Sequence, residues 1–117
     1  GVDALAISIG NAHGAYKDTP HLDIARLEAI KAATSTPLVL HGGSGIPDDQ
    51  LLVAFSKGIR KFNLGTEFLG HYYDAMTEYI ATYKENPDPV KIIEMPEYIQ
   101  SKVQPYLEER MKTLCHF

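Results

Sequence analysis

At 117 residues the chain can hold one domain but is short for a closed barrel. Its balance of 44% hydrophobic and 22% charged residues is that of a globular chain, which excludes a disordered or low-complexity one. A formal charge of −4, with no basic stripe, excludes a general nucleic-acid binder, and no apolar run approaches the roughly 20 residues needed to cross a bilayer.

Residues 4–9 form a short apolar run closed by Gly10 and predict a buried strand. A polar loop follows, carrying Gly14, Lys17, Asp18 and Pro20. Asp23 then caps a predicted helix running to about residue 34, with Leu22, Ile24, Leu27, Ile30 and Ala33 at helical spacing. Residues 37–40 predict a second buried strand that runs directly into His41-Gly42-Gly43-Ser44-Gly45. Pro47-Asp48-Asp49 has the composition of a helix start, with early carboxylates at the positive end of the dipole. Gly58 ends that helix. Residues 59–64 predict a third, less apolar strand. A longer helix is expected from about 66 to 84, a break at residues 85–89, and a final helix from roughly Pro96 to Leu114.

Strand and helix alternate three times, which predicts parallel strands joined by crossovers. The unusual chemistry falls in the loops after each strand: 10–20, 41–45 and 63–66. Both a (β/α)₈ barrel and an open doubly wound sheet place their sites at such strand ends. Three strands cannot close a barrel, so on the barrel reading most of the fold lies outside this chain. The start at Gly1, without an initiator Met, reads as that of a fragment or a processed product. No signal peptide is visible, and a cytoplasmic setting is the expectation.

His13 lies shortly after the first strand and His41 directly after the second. Adjacent parallel strands run about 4.8 Å apart, so side chains at neighbouring strand ends can converge. Zinc takes imidazole nitrogens at about 2.0–2.1 Å, and a catalytic site uses three protein ligands. The plainer alternative is that each ring bonds a loop carbonyl. Gly42, Gly43 and Ser44 precede a helix and suit an anion, because glycines let the backbone approach and the helix start favours negative charge. The alternative there is a tight turn. Asn63 and Thr66 offer an amide and a hydroxyl at the third strand end, and Thr66 equally suits a helix cap. Lys17 can reach a phosphate from the first loop or simply be solvated. His21, just before a helix, reads as a surface or loop residue, and His71 and His116 lie on predicted helices with no partner motif. Cys115, the single cysteine, rules out an internal disulfide and a Cys-based zinc framework.

Gly10-Asn11-Ala12-His13-Gly14-Ala15-Tyr16-Lys17, Pro37-Leu38-Val39-Leu40-His41-Gly42-Gly43-Ser44-Gly45 and Lys61-Phe62-Asn63-Leu64-Gly65-Thr66-Glu67 together resemble the class II fructose- and tagatose-bisphosphate aldolases, in the family's order and spacing. The resemblance covers nearly the whole chain, less closely after about Asn86. It implies a TIM barrel, with residues 1–117 as the C-terminal portion of its single domain: the last three βα units and the C-terminal helices. It implies that His13 and His41 are two of three zinc-binding histidines. Gly14, Lys17, Gly42, Gly43 and Ser44 then surround the phosphate of the dihydroxyacetone-phosphate half, and Asn63 and Thr66 contact the same half. A sodium or potassium ion near that phosphate and a homo-oligomer complete what the resemblance implies. The partner is a small sugar bisphosphate, cleaved with zinc stabilising an enediolate as a Lewis acid. The third histidine and the catalytic aspartate belong to the family's N-terminal half, and no Asp-His dipeptide occurs here. Gly65, where many fructose-specific members carry an acid, tilts toward tagatose bisphosphate. A non-catalytic metal- or phosphate-binding piece of such a barrel is the competing reading.

Overall fold

The computed structural model describes residues 1–85 and 87–115. Asn86 of the expected break and His116 lie outside the described residues. In chain order the elements are β1 (Leu5–Ile7), α1 (Ile24–Ala33), β2 (Leu38–Leu40), α2 (Asp48–Ser56), β3 (Ile59–Phe62), α3 (Thr66–Glu85) and α4 (Lys91–Cys115). They divide into two compact units, Gly1–Thr66 and Glu67–Phe117.

The first unit is an α/β layer. Its three strands pair in parallel, in the order β1-β2-β3. The middle strand explains the apolar Leu38-Val39-Leu40 run: paired on both edges, it is buried at every position. The core around it contains Ile9, Leu22, Leu27, Ile46, Leu51 and Ala54. Asp23 caps α1 as expected, its carboxylate accepting the N–H of Arg26 at 2.9 Å. Asp48 and Asp49 sit in the first turn of α2.

The expectation of a buried first strand needs correction. β1 pairs only with β2, and its Leu5 and Ala6 are exposed. The buried member of the run is Ile9, beyond the strand. An apolar run with a partner on one edge only leaves apolar surface uncovered. Among the described residues the three strands do not close a barrel.

Pairing between β2 and β3 is irregular: Leu38 faces Ile59 but Val39 faces Lys61, so Arg60 is the extra residue of a bulge. Past the bulge Leu40 faces Phe62. The ladder then continues beyond both strands, through Asn63 N–H to Leu40 C=O at 3.0 Å and Gly43 N–H to Asn63 C=O at 3.2 Å. This pairing carries His41 and Asn63 to adjacent strand ends.

The second unit is helical. Ala75, Ile99 and Val103 form its buried centre, with Phe68, Met76, Met95 and Leu107 packed against them. The last helix begins at Lys91, five residues before the expected start, and holds Pro96 and Pro105 within it. Pro96 resembles a helix start because proline is favoured in a first turn. The actual start is set upstream by Asp88. Its side chain accepts the Val90 N–H at 3.0 Å and its carbonyl accepts the Lys91 N–H at 3.0 Å.

Candidate functional site at the strand ends

Two loops must meet before any of the predicted chemistry can work. The loop after β1 turns sharply at Gly10, whose φ of +99° lies in the left-handed region. A Cβ there would lie 2.3 Å from the His21 carbonyl oxygen, so the position demands glycine. Asn11 then folds back. Its Oδ1 accepts the Ile9 N–H at 2.8 Å, and its Nδ2 donates to the carbonyls of Ile7 at 3.3 Å and His41 at 3.0 Å. One amide thereby ties the first loop to the second. Gly42, at φ +62°, lets the second loop come against the first: a Cβ would stand 2.0 Å from the Ala12 carbonyl oxygen.

This brings His13 and His41 together. Nε2 of His13 lies 3.4 Å from Nδ1 of His41, with the ring centroids 5.5 Å apart and the planes at 66°. Two nitrogens of one tetrahedral zinc, at bond lengths of about 2.0–2.1 Å, stand roughly 3.3 Å apart. The pair therefore fits two vertices of such an ion. Among the described residues no group of three His, Cys, Asp or Glu side chains is placed to hold a metal, so the donor set here is partial.

Asn63 stands beside His41. The ammonium of Lys61 bonds its Oδ1, which turns Nδ2 toward the ring, 3.2 Å from Nδ1 and 3.1 Å from Nε2. An amide equidistant from both ring nitrogens lies off both lone-pair axes. It crowds the ring without capturing either lone pair.

A cavity of about 200 Å³ opens next to the pair, lined by His13, Gly14, His41, Gly42, Ser44, Asn63, Leu64, Gly65 and Thr66. Seven of the nine sequence-predicted site residues thus share one cleft. Lys17 is exposed and does not line it, and neither does Gly43. Gly43 is buried with its N–H on Asn63, and a Cβ there would overlap the Phe62 ring. Its glycine is required for packing against β3, and its N–H is not free for an anion. Ser44 is buried, 8% exposed, and Thr66 opens α3 at the rim. His21 is exposed in a loop, and His71 stacks on Tyr106 at 3.9 Å within the helical unit.

Sequence reasoning did not single out Asn11 or Tyr16, the residues that join the loops. For Asn11 a signal existed: asparagine after a turn glycine commonly bonds nearby backbone. For Tyr16 none did, because its partners are 4 and 26 residues away.

The fructose-bisphosphate aldolase class-II family model matches residues 1–116. The chain belongs to that family. Among solved structures, it is similar to the YdjI aldolase from Escherichia coli K12, with 33% identity and a TM-score of 0.79 over 96% of this chain and 39% of that one. A putative fructose-1,6-bisphosphate aldolase from Coccidioides immitis matches at 27% identity and TM-score 0.82, over 97% and 38%. Fructose-bisphosphate aldolase from Campylobacter jejuni, at 24% identity and TM-score 0.66 over 93% and 39%, shares the fold. The chain thus spans about 39% of the length of these aldolases. The three motifs that carry the sequence resemblance are the segments that build the cleft. No helix among the described residues is long and apolar enough to cross a membrane.

Proposed function

We propose that residues 1–117 are the C-terminal portion of a (β/α)₈ aldolase barrel, supplying its last three βα units. The whole enzyme, on this reading, cleaves fructose or tagatose 1,6-bisphosphate to dihydroxyacetone phosphate and glyceraldehyde 3-phosphate with zinc. The observation that carries it is the 3.4 Å approach of two imidazole nitrogens at adjacent strand ends, beside a cleft lined by Gly14, Gly42, Ser44 and Thr66. The uncovered side of β1 is where a preceding strand of the barrel would pair.

His13 and His41 would hold the metal, together with a third histidine from the preceding part of the barrel. When bound, zinc supplies a Lewis acid that stabilises the negative charge left when the central carbon–carbon bond breaks. The cleft does the rest of the work assigned to this chain. The backbone at Gly14 and Gly42, with the hydroxyls of Ser44 and Thr66, holds the phosphate of the three-carbon half; Lys17, outside the cleft, has no part in it here. Asn63 orients the same half against His41. Binding at the phosphate is remote from the reacting carbons, so it fixes orientation. The proton-transferring aspartate comes from the preceding part. A cytoplasmic homo-oligomer belongs to the same reading.

The test is turnover of both sugar bisphosphates by the whole gene product, followed as dihydroxyacetone phosphate released. Cleavage should be abolished by a chelator and restored by zinc. Tagatose bisphosphate should be the faster substrate, because Gly65 leaves small what an acid fills in many fructose-specific members. Chelator-resistant cleavage would remove the metal from the account. A product that binds zinc and inorganic phosphate without cleaving either sugar would instead be a non-catalytic binding barrel.

A further inference from the structure

The hydroxyl of Tyr16 lies between the backbone neighbours of both histidines. It accepts the N–H of Ala12 at 2.8 Å and donates to the C=O of Gly42 at 2.8 Å. Ala12 precedes His13, and Gly42 follows His41. One oxygen therefore joins the main chain next to each imidazole. The partly buried ring lies beside Gly45, where a Cβ would meet its Cδ2 at 3.5 Å. Asn11 makes a second tie between the same loops through the His41 carbonyl.

The need for such a tie follows from the first loop. His13 is exposed and lies between two positive-φ glycines, Gly10 and Gly14, whose backbone freedom is large. Each loop residue left free must be ordered when a ligand binds, at a cost in conformational entropy. A loop fixed beforehand avoids that cost.

We propose that Tyr16 is a positioning residue whose hydroxyl clasps the two histidine loops and sets the His13–His41 spacing. This rests on the zinc reading above only where metal is concerned. The clasp itself consists of two hydrogen bonds that involve no metal. Outer contacts made directly to metal-binding side chains are worth roughly 10–100-fold in metal affinity, and a tie through the adjoining main chain acts in the same direction.

The experiment compares Tyr16→Phe with Gln50→Ala in the whole gene product. Tyr16→Phe deletes only the hydroxyl. Gln50→Ala also removes two main-chain hydrogen bonds, to Leu22 N–H at 2.8 Å and Pro20 C=O at 3.1 Å, neither of which adjoins His13 or His41 in the chain. Two readouts apply: the through-space NMR contact between the His13 and His41 rings without metal, and the affinity and visible absorption band of bound Co²⁺. Tyr16→Phe should lose the ring–ring contact, weaken Co²⁺ about tenfold or more and shift its band. Gln50→Ala should lower thermal stability comparably while keeping the contact and holding affinity within about twofold of wild type, well short of the change expected for a lost outer contact. The proposal falls if Tyr16→Phe keeps both, or if Gln50→Ala loses both to the same degree. Wild type that shows the ring contact but binds no Co²⁺ would overturn the zinc reading, while the NMR comparison still decides the role of Tyr16.

Discussion

The two units of this chain use their residues in opposite ways. Gly1–Thr66 has short strands, five positive-φ glycines and a cleft lined by its loops. Glu67–Phe117 has two long helices, no positive-φ glycine among its described residues, and a small centre of Ala75, Ile99 and Val103. The first unit fixes single backbone positions, such as Gly42 against Ala12, where no other residue fits. The second needs only an apolar face of the right period, and it leaves Leu69, Tyr73, Ile92 and Ile93 exposed. Chemistry depends on placing particular atoms within tenths of an ångström. Helix packing depends on volume and tolerates exchange.

That contrast is broken most sharply by single substitutions of known location. His41→Ala in the whole gene product should cost about 10³-fold or more in kcat/KM, since losing a metal ligand forfeits several kcal/mol of charge stabilisation. Folding stability should hardly move, because His41 is not part of the buried core. Activity within tenfold of wild type would argue that the histidine pair is only a loop contact. Ile99→Ala is the counterpart in the helical unit. Ile99 is 3% exposed, and truncating such a side chain costs about 2–5 kcal/mol of stability. Urea unfolding should show that loss, with zinc affinity unchanged. A parallel fall in zinc affinity would show that the two units are not energetically separable.

How much of this was legible beforehand follows the same division. The buried middle strand, the Asp23 cap and the placement of His13, His41 and the glycine loop at strand ends were readable, because each rests on local chemistry or a short apolar period. The exposed β1 was not, since burial depends on which strands surround it. The early start of α4 was hidden by Pro96, whose preference for a first turn outweighed the weaker Asp88 signal. Tyr16 and Gly43 were opaque for another reason. Their roles come from partners distant in sequence: the Gly42 carbonyl for one, the Phe62 ring for the other.

Ser44→Ala probes the anion half of the cleft with a smaller expected effect. Ser44 is buried and lines the cleft beside Gly42 and Thr66. Removing one hydroxyl partner from a bound phosphate should weaken dihydroxyacetone phosphate by about 1–3 kcal/mol in Kd. Zinc affinity should stay unchanged. An unaltered Kd for dihydroxyacetone phosphate would make Ser44 a turn residue and shift the phosphate toward the Gly14 and Thr66 side.

The smallest effect lies in the helical unit and appears only at high pH. Tyr106 has its phenol pushed up to about 12, first by burial and then by the Glu67 carboxylate, with Arg110 pulling the other way. An unfolded tyrosine ionises near 10. The fold therefore prefers the protonated phenol. Its contribution to stability is complete below about pH 10 and is lost as the pH rises from there through about 12. That difference would correspond to roughly 2.7 kcal/mol for a sequestered group, but the side chain is partly solvated, and screening should leave about 1 kcal/mol. Tyr106→Phe cannot ionise. Its stability relative to wild type should be constant below pH 10 and improve steadily above it, as wild type alone pays to keep a proton. The phenolate absorbance titration should lose its highest transition in the same variant, although Tyr79, also raised by burial, will retain a late one. A wild-type unfolding curve that runs parallel to Tyr106→Phe from pH 9 to 12 would show that this phenol is solvated in the folded chain. It would also show that the stacking of His71 on Tyr106 does not shelter the hydroxyl.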